Sequence, residues 1–403
     1  MELFWLEHKK LWRKKIVKIC VLLCFVYCVI FGSILSFQWF SFGSSDDYTS
    51  EFGNNFDGYT VIKDSQEYAL SFGGELTDET LQQIVSDYQQ MEVDGMEEEL
   101  EKTDWQIVNS WLGTLYPELR DTSNYKTMIS YVDPDKLTGF YERRQQVLDE
   151  FLEVSGQVGA EKEFLHQIER KVEKPFHYEW VEGWSTLLGS TVANLGVVMA
   201  LFLGIVLSSL FAGEWHDNTS ALVLTTRNGW GKIALAKILT GLAFTVELFA
   251  LLAVSSVISQ LFFMGTAGWD MPIQNIKLIA VAPMNMLQAE IYEYAFVLLG
   301  AIGFAGIVMF ISAAVKNNVL TLLLSLAVVY GPMMIAEYLP YGMQKALDLI
   351  PLVGSSTDIF RTNTFRIFGK LIWSPYLLIT IPVLIGILCM PFAIKSWSRR
   401  MKA

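Results

Sequence analysis

Charge is scarce in this chain. Asp, Glu, Lys and Arg make up 18% of its 403 residues, against 52% hydrophobic residues. Soluble domains carry about 25% charge, so the balance excludes an ordinary soluble protein. Histidine and cysteine are scarcer still, at four each. His8, His166, His177 and His216 fall in no His-Glu-x-x-His pattern, and no cysteine joins them. Glu214, His216 and Asp217 lie close together, but with one histidine and no further ligand nearby they make no zinc motif. Cys20, Cys24 and Cys28 recur at one-turn spacing inside an apolar run, a packing stripe with no histidine or carboxylate beside it, and Cys389 sits in another run. None lies in the long polar segment, which excludes a disulfide-stapled domain there. A Gly-x-Ser-x-Gly elbow is missing. So is a Walker A loop: Gly229-Trp230-Gly231-Lys232 lacks both the spacing and the hydroxyl residue that magnesium needs.

What the chain does have is long apolar runs. Crossing a bilayer as a helix takes about 20 mostly apolar residues. Six runs qualify, at 16–41, 187–211, 231–264, 291–315, 319–336 and 372–394. They are continuous, without period-two alternation, so they are expected to be helices, which satisfy their own backbone in lipid. The first run is too long for the apolar core of a cleaved leader, about 7–15 residues, and is expected to stay as an uncleaved anchor. The fold class expected is an all-α polytopic membrane protein with six spans.

Lys and Arg mark the cytoplasmic side of short loops. They cluster in residues 1–15, in 214–230 with Arg227, at Lys232 and Lys237, at Lys316 and in the tail 395–403. Six spans put all of these on one side, so both termini are expected in the cytoplasm and the chain in the plasma membrane. Residues 42–183 then form an exterior domain, with 31 acidic and 11 basic residues; the remainder of the chain carries +8. The domain is expected to be mainly helical, at 78–103 and from about Pro134 through Glu169, after short β-prone pieces such as Tyr59-Thr60-Val61-Ile62. Its acid cluster at Glu97, Glu98, Glu99 and Glu101 reads as a solvated helix face. Residues 265–290 and 337–371 are expected outside as well, the latter as short interfacial helices between Pro340, Gly342, Pro351 and Gly354. The absence of cysteine outside points towards a Gram-positive envelope.

Residues 1–15 are amphipathic. Trp5 and Trp12, and Phe4 and Leu11, recur seven apart with Lys and Arg13 between, a helix that lies in the interface. It serves as an anchor, as a docking surface, or as both. Inside the spans ionisable groups are few, and such a group is a functional candidate by default. Glu247, with Asn194 and Gln260, is the candidate lining of a substrate pathway; Glu290 and Glu293 lie at the outer end of the fourth span. Gly300, Gly303 and Gly306 form a small-residue stripe suited to close helix packing, within the chain or at a dimer seam.

Residues 211–238 leave one apolar span, make a short polar excursion and return. Phe211-Ala212-Gly213-Glu214 ends the span. Asp217 or Thr219 is placed to cap a short helix bearing the apolar ridge Ala221, Leu222 and Leu224. Thr225-Thr226-Arg227, Asn228-Gly229 and then Lys232 and Lys237 lead back in. This order, with six spans and a large insert after the first, resembles the permease subunits of ABC type-2 transporters, in the bacterial subgroup with a large extracellular domain. The resemblance covers the membrane part, and matches the exterior domain by position only.

The resemblance implies an exporter permease without a nucleotide site or cofactor of its own. ATP and Mg would be bound by a separate cytoplasmic ABC ATPase, in two copies, engaged through the excursion as a coupling helix. The second permease chain would be the same or related, and no nucleic acid is involved. Relatives of this topology carry sodium, peptide antibiotics or lipids; an acidic exterior suits a cationic peptide, and hence antimicrobial peptide resistance. The competing reading is a membrane receptor whose exterior domain binds a peptide or other ligand. It would need a cytoplasmic output domain, and the stretch after the sixth run is under ten residues.

Overall fold

The structure is a computed structural model that describes residues 2–30, 66, 73–95, 105–121, 126–217, 219, 231–354, 359–360 and 363–399. Helix α1 (Glu2–Arg13) runs into α2 (Lys15–Val29) through a bend at Lys14. A soluble domain follows, with β1 (Gly74–Leu76), α3 (Asp78–Val93), α4 (Trp105–Leu115), α5 (Phe140–Val154), α6 (Ala160–Glu169) and β2 (Phe176–Tyr178). Helix α7 (Glu182–Thr186) passes through a π-helical stretch at Leu187–Thr191 into α8 (Val192–His216). Then come α9 (Lys232–Met264), α10 (Met286–Ala314), α11 (Asn318–Ile335), α12 (Tyr341–Leu347), the hairpin β3 (Thr364–Ile367) and β4 (Lys370–Trp373), and α13 (Ser374–Arg399).

Five of these helices are long and apolar enough to cross a membrane: the continuous Glu182–His216, α9, α10, α11 and Ser374–Ser398. The remaining expected span, 16–41, is described only up to residue 30. Local chemistry sets the ends. Asn285 and Gln288 form a reciprocal capping box at the start of α10, satisfying two backbone donors that the helix leaves open. The Asn317 side chain accepts from Val319 and Leu320 at the start of α11, so three residues suffice to reverse the chain between α10 and α11. Outward faces remain apolar, as at Leu239, Val254, Ile258 and Phe262 of α9 and Leu320, Leu323 and Leu324 of α11, which suits lipid as the solvent.

Helix α10 is the hub, packing against α8, α9, α11 and α13. The glycine stripe is used within the chain. A Cβ on Gly306 would sit 2.4 Å from the carbonyl oxygen of Gly386, and one on Gly303 would sit 2.2 Å from that of Pro382. Helices α10 and α13 therefore touch backbone to backbone. Gly306→Ala is expected to force them apart and cost about 1–3 kcal/mol, the range for overpacking. A lowered melting temperature in detergent checks this; an unchanged one would mean that α13 slides without penalty.

The soluble domain buries Trp111, Tyr116, Phe140 and Phe176 in its own core. Strands β1 and β2 pair antiparallel and close its base. The expected helix at 78–103 is shorter: α3 ends at Val93, where Asp94 caps it and Gly95 (φ +75°) turns the chain; the acid cluster, and the β-prone piece at 59–62, lie outside the described residues. The expected stretch from Pro134 to Glu169 is not one helix. It comprises a 3₁₀ turn at Pro134–Lys136, then α5 and α6. Gly156 (φ +74°) and Gly159 (φ +59°) break it, since such backbone angles end a right-handed helix. The loop between α9 and α10 is part of this domain rather than a separate exterior turn. Leu278 joins its core, and the Trp111 indole donates to the Asn275 carbonyl at 2.9 Å.

A buried ion pair fixes that junction. Arg144, fully buried, donates to Glu169 at 2.6 Å, to the Leu278 carbonyl at 2.7 Å and to the Ala280 carbonyl at 3.1 Å. Lys174 reaches the same Glu169 oxygen at 2.8 Å. Residues 337–371, expected as interfacial helices, hold α12 but also the β3–β4 hairpin. Its turn, Phe368-Gly369, has positive φ at both positions, the geometry that hairpins favour. Arg366 ties it to Glu161 of the soluble domain at 2.6 Å.

Candidate functional site

The excursion between α8 and α9 leaves the bundle at the end where both described termini lie. Glu214 stands in the last turn of α8. A carboxylate there faces the negative end of the helix dipole, and this one is only 4% exposed. It holds because donors converge on it. Lys237 of α9 and Lys10 of α1 both reach Oε1, at 2.8 and 2.6 Å, and the Thr219 hydroxyl donates to Oε2. Lys237 is itself buried, and divides its ammonium between Glu214, Glu7 of α1 at 2.8 Å and the Leu210 carbonyl at 3.1 Å. Lys14 donates to Ser209 Oγ at 3.0 Å.

The charges are unequal in exposure, and that decides their worth. The Lys10 side chain is 53% exposed, that of Lys237 2%. Exposed pairs contribute about 0–1 kcal/mol, whereas removing one partner of a buried pair costs about 3–5 kcal/mol. The Lys237–Glu214 contact is therefore the structural one, and Lys10 trims it. Burial lowers the Lys10 ammonium, but Glu214 outweighs it and holds the group above the usual lysine range. Lys14 goes the other way: burial, then Lys237 and Lys10, pull it below that range.

Helix α1 is the clasp of this site. Glu7, Lys10, Leu11 and Lys14 recur at i, i+3, i+4 and i+7, the spacing of one helix face; Leu11 is buried between the polar contacts. On the adjoining face the Trp12 indole donates to Glu247 Oε2 at 3.0 Å, and His8 Nε2 lies 3.2 Å from its Oε1. The Trp12 ring also packs on Phe244 at 5.6 Å. Of the expected interface residues, Trp5 and Arg13 are exposed and Trp12 is tied to α9.

Other helices lock the end of α8 from behind. The Ser312 hydroxyl of α10 donates to the Ser208 carbonyl at 2.7 Å and accepts from the backbone N–H groups of Phe211 and Ala212. Trp397 of α13 packs on Phe211 and Trp215, and the Lys316 ammonium lies 4.5 Å over the Trp215 ring. Both roots of the excursion are thus fixed to the bundle. Asp217 and Lys232 are exposed at the two roots. Ala221, Leu222, Leu224 and Arg227 lie outside the described residues.

The three candidate pathway residues are engaged separately. Glu247 faces α1, with its side chain 44% exposed, rather than the bundle interior. Asn194 accepts from the Tyr27 hydroxyl of α2 at 3.5 Å. Gln260 is fully buried, and neither amide atom has a hydrogen-bond partner among the described residues. Sequence reasoning placed Glu214 and passed over Glu7, His8, Lys10, Lys14 and Ser312; the i, i+3, i+4, i+7 face of α1 was the available signal.

A family model described as ABC-2 family transporter protein matches residues 1–352. No curated protein and no solved structure matches the chain.

Proposed function

The chain belongs to the ABC-2 transporter family, and from that premise we propose that it is an exporter permease driven through the excursion between α8 and α9. Membership makes it a membrane component of an ABC transporter, with an ATPase as partner. The reading adds that two cytoplasmic ATPase copies bind ATP and Mg, and that the second permease chain is the same or related. It also places the termini in the cytoplasm of a Gram-positive cell and the soluble domain outside.

The observation that carries the reading is the rigid rooting of the excursion. A coupling element has to pass a push to the spans without folding away under it. Glu214 at one root and Lys237 near the other are joined directly, and α1 is clasped across both. Apolar Leu222, flanked by Ala221 and Leu224, is the anchor offered to a groove on the ATPase. Arg227 and Lys232 flank it with positive charge.

Tagged purification in mild detergent from the native host, with identification of co-eluting proteins, tests this. A stoichiometric ATPase with a Walker A motif is expected. Leu222→Asp is expected to weaken its capture by on the order of 2 kcal/mol, about thirtyfold, as for a central interface anchor. The variant should reach the membrane in normal amounts. A chain that elutes without any ATPase would overturn the reading, and full capture by Leu222→Asp would move the contact elsewhere.

A further inference from the structure

The β3–β4 hairpin lies between the soluble domain and the start of α13, and its two faces differ in chemistry. Its register pairs Thr364 with Trp373, Phe365 with Ile372, Arg366 with Leu371 and Ile367 with Lys370, and alternate pairs share a face. One face turns to the soluble domain. The Thr364 hydroxyl donates to Gln157 Oε1 at 2.8 Å, and Arg366 donates to Glu161 at 2.6 Å. Trp373, 3% exposed, packs in the apolar cluster that holds Leu152 and Leu165 of that domain. The other face carries Phe365, Ile367 and Ile372, each partly buried, together with the exposed Lys370. At the turn Phe368 is fully exposed, at 102%.

Where the hairpin begins decides what meets this apolar face. Strand β4 passes into α13 with no residue between, Trp373 to Ser374. The span Ser374–Ser398 has 25 residues, about 37 Å at the helical rise, against a hydrocarbon core of about 30 Å. Its first turn therefore stands at the edge of the lipid. Tyr376, Thr380, Leu384, Leu388 and Phe392 are exposed at four-residue spacing, one stripe along the helix that faces lipid. The stripe ends in a tyrosine at the turn from which the hairpin springs. Strands of four residues extend about 13 Å, so the whole hairpin stays close to that edge.

Charge narrows the choice of occupant. Residues 363–373 carry Arg366 and Lys370 and no acid, whereas 42–183 holds 31 acidic and 11 basic residues. Nearby, Lys345 of α12 donates to the Thr364 carbonyl at 3.0 Å and lies 5.7 Å over the Phe365 ring. Aromatic rings at the lipid edge with basic heads beside them are the pattern of a headgroup contact. A cationic cargo would be repelled here.

We propose that the β3–β4 hairpin is a lipid-binding element. Phe368 and Ile367 enter the headgroup–acyl boundary of the leaflet on the soluble-domain side, and Lys370 meets the lipid phosphates. The contact does not depend on the coupling reading. Through Arg366–Glu161 and Thr364–Gln157 it holds the α5–α6 end of the soluble domain against the leaflet.

The test replaces Phe368 by the photoreactive p-benzoylphenylalanine in the full chain. The chain is placed in nanodiscs of phosphatidylglycerol and phosphatidylcholine, irradiated, and its adducts are identified by mass spectrometry. The probe keeps the backbone preferences of phenylalanine at an exposed turn, so the chain should elute as the wild type does. The same probe at Leu388, 64% exposed in the lipid-facing stripe, sets the lipid limit. At Val93, 80% exposed on α3, whose core is built without the spans, it sets the aqueous limit. Burying a phenylalanine side chain favours the apolar side by about tenfold or more. Phospholipid adducts at position 368 are therefore expected near the Leu388 level and at least about tenfold above the Val93 level. Adducts no more frequent than at Val93 would overturn the proposal. So would adducts mainly to a second copy of the chain, which would make the tip an interface between copies.

Discussion

Lys237→Met should abolish ATP-driven transport and lower the stability of the purified chain by about 3–5 kcal/mol, the range for stripping one partner from a buried pair. The reasoning is local. Glu214 sits 4% exposed in the last turn of α8, where the helix dipole disfavours an anion. Without Lys237 it keeps Lys10, whose head is half in solvent, and the Thr219 hydroxyl. Glu7 loses its 2.8 Å partner at the same time, and α1 stays on α9 through Trp12 and His8 at Glu247 and the Trp12–Phe244 ring contact. The double variant Glu214→Gln/Lys237→Met should regain much of the stability, because no buried charge is left unmatched, yet it should stay inactive if the pair transmits force. Melting curves and coupled ATPase assays on the three chains separate these effects. A Lys237→Met chain that melts and transports as wild type would show that Lys10 alone suffices.

Arg144→Met should produce a loss of similar size at the other end of the molecule. Arg144 and Glu169 are 0% and 3% exposed, so removing the guanidinium leaves a buried carboxylate with Lys174 as its remaining cation among the described residues. Lys174 keeps one contact to Glu169, and Gln274 keeps the Ala280 carbonyl. The Leu278 carbonyl loses the donor that Arg144 supplied at 2.7 Å. The expected result is about 3–5 kcal/mol of lost stability, with faster hydrogen exchange centred on residues 275–285. Burial pushes the Glu169 carboxyl up, but Lys174 and Arg144 together hold it below the usual carboxylate range. Its contribution is therefore present above that range and disappears as pH falls through the lowered value. Unchanged exchange in the loop would mean that apolar packing around Leu278 carries the junction.

Five of the six expected spans were legible as long apolar helices because lipid imposes one rule on every residue that faces it, and a continuous apolar run has few other uses. Glu214 was legible for the same reason, as the first acid after such a run. Its partners were not. Lys10 and Glu7 lie about two hundred positions away, and their shared face with Leu11 and Lys14 marks them as a set without saying what that face meets. Glu247 misled in an instructive way. An acid within a span suggests a polar interior, but here His8 and Trp12 meet it from the outside, on the flank of α9. The hairpin at 364–373 lacked the Asn-Gly signal that marks such turns, and Phe368 takes the first turn position instead. Arg144 has no sequence feature that sets it apart from its neighbour Arg143. It is buried because a loop more than a hundred residues later wraps over it, which no periodicity within α5 can announce.

That wrapping has a consequence for biogenesis. The soluble domain is translated before α8, but its core includes Leu278 and its central arginine bonds to backbone beyond α9. At synthesis rates of about 5–20 residues per second, the missing segment arrives on the order of 5–20 s after the domain's own last strand. During that interval Arg144 and Glu169 have no lid and the apolar centre stays open. The domain is completed only after α8 and α9, which lie between its two parts in the chain, have been made, so its folding waits on theirs. A chain that misplaces α9 would leave Arg144 and the apolar centre without the segment that covers them.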